Sequence, residues 1–238
     1  MRSVRAVLAS LLLVGALVPV SGSGKAEQPV AGLVGNFVQH PTPAPDFTLT
    51  DQHDQPFHMA DARGKVVLMS FIYTHCTDLC PFIAVKVKAA YQLLGSDASR
   101  VEFVAVTTDP KRDVPSVMAA YSKAVGLNDV WHFVGGAPRD VQAVWSDYGI
   151  GVTVDKDTSA VAAPEGEQKD EPEPTQGLSK ADQELAEQIA ASFGGGYDVG
   201  HSAPFWFVDT KGRIQAGMDA DATPTDIAAN IRTLLKAR

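Results

Sequence analysis

Two uninterrupted apolar runs, VVLMSFIYT (66–74) and VEFVAVTT (101–108), constrain this chain more than any other feature. Both are rich in β-branched residues, and neither alternates apolar with polar positions, so each reads as a strand covered on both faces. Such strands belong in the middle of a sheet with further structure packed above and below. A helical pattern follows each run. In 81–94, Ile83, Val87, Tyr91 and Leu94 recur at helical spacing and Gly95 is the stop; in 109–127, Asp113 is expected as the cap and Pro115 in the first turn.

The same alternation continues on either side. DFTLTDQHDQPFHM reads as a hairpin with Phe47 and Leu49 turned inward and a polar turn at 51–55. WHFVGG reads as a strand, PRDVQAVWSDYG as a helix ending at Gly149, and IGVTV as a strand. PFWFVDTKGRIQAG reads as a hairpin turned at Lys211 and Gly212. In TPTDIAANIRTLLK, Thr223 caps a helix with Pro224 at its first position, Asp226 completes a capping box, and Ile227, Ile231 and Leu234 share one face. The expected architecture is α/β: a thioredoxin-like fold, its central mixed sheet flanked by helices, with an N-terminal hairpin.

Residues 155–196 break the rhythm with ten acids against three lysines and a single aromatic, Phe193. Too little apolar surface is available for this segment to order fully, so a flexible acidic insertion is expected. Within it LSKADQELAEQIAAS still has a helical pattern, capped at Ser179 with Asp182 three residues on. The insertion reads as solvated, with a docking surface for a basic partner as the alternative. The domain is expected to span 45–238, fed by a linker at 25–44 that contains Gly32, Gly35, Pro41 and Pro43.

The first 24 residues carry Arg2 and Arg5, then a nearly unbroken apolar run from Ala6 to Val20, then small residues. That is the plan of a secretory signal, and the run is short against the ~20 residues a spanning helix wants. Export to a bacterial periplasm is expected, with cleavage or with the segment kept as a short inner-membrane anchor. No third cysteine is available for lipid attachment, and the arginines are not adjacent as a twin-arginine signal would have them. A formal charge of −8 argues against nucleic acid as a partner.

Both cysteines lie in FIYTHCTDLCPF (71–82), where a buried strand gives way to a helix. In open α/β sheets, the crevice at the carboxyl ends of the strands is where ligands gather. A helix start also lowers the pKa of a thiol placed there. Three intervening residues bring Cys76 and Cys80 to one side, close enough for a disulfide or for a clamp on Cu(I), which soft sulfur ligands select. A purely structural bridge would close so short a loop that it would stabilise little. An exported thiol pair can be oxidised, reduced or metal-bound.

These segments together resemble the Sco/SenC family of copper-binding, thioredoxin-like proteins tied to cytochrome c oxidase assembly. The likeness runs over 45–235, the acidic insertion excepted, and is most specific in Tyr-Thr-His-Cys-x-Asp-hydrophobic-Cys-Pro, here Tyr73 to Pro81, with a distant His-Ser. The resemblance implies Cys76, Cys80 and His201 as copper ligands, a set that suits Cu(I) and, with an added oxygen ligand, Cu(II). Two departures stand out. Gly200 occupies the position before the histidine where the family often has Asp, Asp198 lying two positions earlier, and the loop leading to His201 is longer and contains Gly194 to Gly196. Both predict a looser hold on the histidine.

His75 neighbours Cys76, but strand alternation points it away; His40, His53, His58 and His132 read as ordinary surface or core residues. Asp78 reads either as a loop-orienting or cation-attracting group or as the cap of the following helix, and Phe205 and Trp206 as core strand residues. Two functions follow. One is a metallochaperone, not an enzyme, passing copper to an oxidase subunit. The alternative is a thiol–disulfide oxidoreductase acting through Cys76 and Cys80 on the oxidase copper-site cysteines or on another copper chaperone, itself recharged by a thioredoxin-like reductant. Peroxide reduction on the same scaffold is disfavoured, since the Pro-x-x-x-Thr-x-x-Cys pattern would need Pro and Thr where Met69 and Tyr73 stand.

Overall fold

The computed structural model describes residues 29–154 and 174–237. Their strands and helices run β1 (Asn36–Pro43), β2 (Thr48–Thr50), β3 (Pro56–His58), β4 (Val66–Ile72), α1 (Leu79–Leu94), β5 (Val101–Thr107), α2 (Pro115–Val125), β6 (Trp131–Val134), α3 (Pro138–Asp147), β7 (Val152–Val154), α4 (Lys180–Phe193), β8 (Val199–His201), β9 (Phe205–Val208), β10 (Arg213–Met218) and α5 (Pro224–Lys236). Six strands form one mixed sheet in the order β1-β10-β9-β4-β5-β6. Strands β4, β5 and β6 are parallel, while β9, β10 and β1 extend the sheet antiparallel.

All of β4 is buried, as the unbroken apolar run requires. Its residues divide by alternation. Val66, Leu68 and Ile72 join a core under α1, α2, α4 and α5, and Val67, Met69 and Phe71 join a second core under the β2–β3 hairpin and α3. Each such side chain contributes roughly 1.5–3 kcal/mol by leaving water. Both faces of β4 are thus covered, and the cysteine loop begins beyond its carboxyl end.

Two details differ from the sequence expectations. The stretch expected as a linker at 25–44 is docked over its described part: β1 pairs with β10, and Asn230 of α5 accepts from Val34 N at 2.7 Å and donates to Val34 O at 2.9 Å. Its prolines hid the strand because β1 is a sheet edge, where a missing N–H costs no ladder bond. Asp113 caps nothing. The residue preceding α2 is Val114, which makes no side-chain cap, and the buried Asp113 carboxylate accepts instead from Thr74 and Thr107.

Of the acidic stretch, 155–173 lies outside the described residues, as do residues 1–28 with the expected signal or anchor segment. The helix expected inside it is α4, capped by Ser179, whose Oγ accepts from Asp182 N at 3.2 Å. It packs on α1 and α2. A narrow apolar stripe is enough: Leu178, Ala186 and Ile189 are buried, and the Phe193 ring meets Tyr121 edge-on at 5.3 Å.

Candidate metal centre

Cys76 lies in the loop between β4 and α1, and Cys80 in the first turn of α1, with Asp78 at the position before the helix. Asp78 makes no side-chain cap. Both thiols are free and buried; Cys76 retains 5% exposure and Cys80 none. They border a cavity of about 340 Å³ lined also by Tyr73, Asp198 and His201.

His201 arrives from 121 residues away on β8, a short strand paired with β7 so that His201 lies opposite Val152. Its Nε2 is 3.5 Å from Cys80 Sγ. Its Nδ1 is 3.0 Å from Ser202 O, and because a carbonyl only accepts, the ring proton sits on Nδ1 and the Nε2 lone pair faces the thiols. Burial holds the imidazole pKa below its ordinary value, which favours the neutral, ligating form. The Tyr73 ring braces it edge-on at 5.8 Å.

The two sulfurs are inequivalent. The Cys76 pKa is lowered to about 7, first by a hydrogen bond from Cys80 and then by the N–H groups of Cys80 and Asp78 and the Tyr73 hydroxyl, all working against burial. Burial pushes Cys80 well up. Cys80 is thus the less acidic of the two thiols, and its single S–H proton serves either the Cys76 sulfur or His201 Nε2.

With metal–sulfur near 2.3 Å and metal–nitrogen near 2.0 Å, two donors on one first-row ion stand about 3.5–3.7 Å apart. The Cys80–His201 spacing is of that size. Among the described residues, no three His, Cys, Asp or Glu side chains are already closed around one metal position. The Cys80–His201 pair alone thus has the spacing of two donors to one ion. Soft sulfur with one imidazole is a copper-type donor set.

The other expectations are placed as follows. His75 turns to Thr74, its Nδ1 2.8 Å from Thr74 Oγ1 and 3.9 Å from Asp113. Phe205 is buried in β9 and Trp206 partly so. A Cβ at Gly200 would stand 2.8 Å from Thr153 Oγ1, so a side chain there requires that hydroxyl to turn aside. Sequence reasoning missed Asp113 and Arg112 as parts of the site's frame. Their signal was the charged run DPKRD at the carboxyl end of β5, the edge where the crevice forms.

The SCO1/SenC family model matches residues 38–168. This chain belongs to the SCO1/SenC family. An SCO2-like protein of Rickettsia felis is 32% identical over 117 residues, a match covering 49% of this chain and 57% of the relative. The chain thus spans little more than half the length of that curated relative. Bradyrhizobium japonicum ScoI with copper bound superposes with a TM-score of 0.61 at 22% identity, over 81% of this chain and 99% of the other. BsSco, described as a member of the Sco family of cytochrome c oxidase assembly proteins with a disulfide switch, superposes at 0.54 and 16% identity over 86% and 99%. At these identities the likeness establishes the fold. Among the described residues, no helix is long and apolar enough to cross a membrane.

Proposed function

We propose that this SCO1/SenC protein is a copper chaperone: it holds one copper on Cys76, Cys80 and His201 and hands it to the copper site of a cytochrome c oxidase subunit. One observation carries the reading, the 3.5 Å approach of the His201 Nε2 lone pair to Cys80 Sγ beside a second thiol. The copper-bound ScoI and the oxidase-assembly description of BsSco support it by family. Transfer is by ligand exchange: a recipient thiolate replaces one donor at a time, no electron moves, and the released Cys80 recovers a proton. The reading places the protein outside the cytoplasm, with residues 1–24 as signal or anchor.

A second reading rests on the contact between the two free thiols. The Cys76 thiolate attacks a partner disulfide and one partner sulfur leaves; Cys80 then attacks the mixed disulfide, releasing the second. Two electrons and the Cys80 proton pass to the partner, its second thiol takes a proton from solvent, and Cys76–Cys80 ends oxidised. In this reading His201 has no role.

Copper stoichiometry of the reduced protein, with thiols counted before and after chelation, tests the first reading. One copper per chain shielding both thiols is expected. A His201→Ala variant loses most of its copper affinity and keeps any reductase activity, whereas Cys80→Ser loses both. Parent-like copper binding by His201→Ala removes the histidine from the site.

A further inference from the structure

The arm carrying His201 follows three glycines, pairs with β7 through β8, and buries Val199 in the core. A further hold comes from the turn after β5. Arg112 is fixed in that turn by Arg112 N donating to Asp109 O at 3.2 Å, and its guanidinium reaches across to the arm. Nη1 donates to Gly195 O at 2.9 Å and Nη2 to Tyr197 O at 2.9 Å, while Nε pairs with Asp109. The guanidinium carbon stacks 3.7 Å from the Tyr197 ring centroid, and Tyr197 OH donates to the second Asp109 oxygen at 2.8 Å. The clamp grips the arm at Gly195 and Tyr197, six and four residues before His201 in the chain.

The glycines fit this clamp. Gly196 has φ +83°, and a Cβ there would stand 2.8 Å from Arg112 Nη1. A Cβ at Gly194 would collide with Thr77, which lies between the two cysteines, and with Ala190 O. The run that predicts a loose arm in the sequence is the shape that lets the arm lie against both the guanidinium and the cysteine loop.

We propose that Arg112, which makes no hydrogen bond to either thiol or to the imidazole, is the positioning residue that holds the His201 arm closed over Cys76 and Cys80 and so sets how fast bound copper leaves. The copper part rests on the function proposed above. A planar fork suits this role, because three N–H groups serve one carboxylate and two carbonyls at once while the flat face stacks on a ring. Lysine keeps the charge and loses the fork.

The test compares parent, Arg112→Gln and Arg112→Lys in the full chain. In the metal-free protein, amide exchange at residues 199–201 rises by about tenfold or more in both variants while α1 and β4 are unchanged, as expected for losing several charge-assisted bonds. After loading with Cu(I) alone, both variants still shield both thiols, and a Cu(I)-specific chelator extracts the metal about tenfold faster or more. Unchanged exchange at 199–201, a uniform rise through the whole domain, or parent behaviour in Arg112→Lys overturns the proposal. If the parent itself shields no thiol, the copper reading fails, and the exchange comparison alone decides the clamp.

Discussion

The Asp113 carboxylate accepts the Thr74 hydroxyl at 2.5 Å although 39 residues separate the two in sequence. It also accepts the Thr107 hydroxyl at 2.6 Å and faces Thr74 N at 3.3 Å. Thr74 is the last residue but one before Cys76, so a single buried carboxylate ties the start of the cysteine loop to the end of β5 and to the approach of α2. Replacing it by alanine leaves buried hydroxyls and an N–H without an acceptor. Asp113→Ala is expected to lose about 2–4 kcal/mol of stability, and Asp113→Asn, which keeps one oxygen, about half as much. Urea unfolding monitored by tryptophan fluorescence measures both, and a loss under about 0.5 kcal/mol in the alanine variant removes the carboxylate from this role.

Gly194 predicts a steric effect at the same loop. An added methyl meets Ala190 O, which the end of α4 fixes, and the Thr77 side chain. Gly194→Ala is expected to cost about 1–3 kcal/mol and to separate α4 from the cysteine loop. Gly151→Ala, where a Cβ meets nothing within 4 Å, is the control and stays within about 0.5 kcal/mol of the parent. Paired denaturation curves decide the comparison, and equal midpoints for the two variants contradict it.

What could be read from the sequence followed from patterns that one stretch of chain contains. The runs at β4 and β5 announced buried strands, Thr223 with Asp226 announced the start of α5, and the cysteines' place between strand and helix announced a site. What escaped depended on partners distant in sequence. The β1 strand looked like linker because its ladder is supplied by β10 and its anchor by Asn230. Asp113 looked like a cap because caps are local, whereas its true partners are Thr74 and Thr107. The nearness of His201 to the thiols came from family likeness, since no periodicity relates residues 80 and 201; the β7–β8 pairing that delivers it is visible only in the fold.

Lys86 gives a pH prediction. It is fully buried in α1, and its Nζ donates to Ala220 O at 2.7 Å. Burial lowers its pKa to about 8, with Asp221 opposing. The folded pKa lies below the unfolded value near 10.4, so between about pH 8 and 10 the unfolded chain binds more protons and stability rises with pH. The urea midpoint of the parent should climb over this interval relative to Lys86→Met, which lacks the group. Parallel curves for the two proteins would refute the assignment.

His132 gives a pH dependence of opposite sign. Its Nδ1 lies 3.0 Å from Asp51 Oδ2 and its Nε2 3.2 Å from Glu102 Oε1, with Lys65 on the other Glu102 oxygen at 2.7 Å. The Glu102 hydrogen bond, followed against burial by that of Asp51, raises the imidazole pKa above its ordinary value. A raised histidine stabilises the fold fully below its unfolded pKa near 6.5, and the contribution fades as pH climbs through the folded value. Both carboxylates are lowered, so their share is present above about pH 4.5 and fades only on acidification below it. The His132 side chain is 36% exposed, and solvent screening limits the effect to about 1 kcal/mol or less. From about pH 6 to 8.5 the parent should therefore lose stability relative to His132→Gln, and an NMR titration should place the His132 pKa above 6.5. A titration at or below that value, or no change in the stability difference across the interval, shows that the two carboxylates do not hold the imidazole in its charged form.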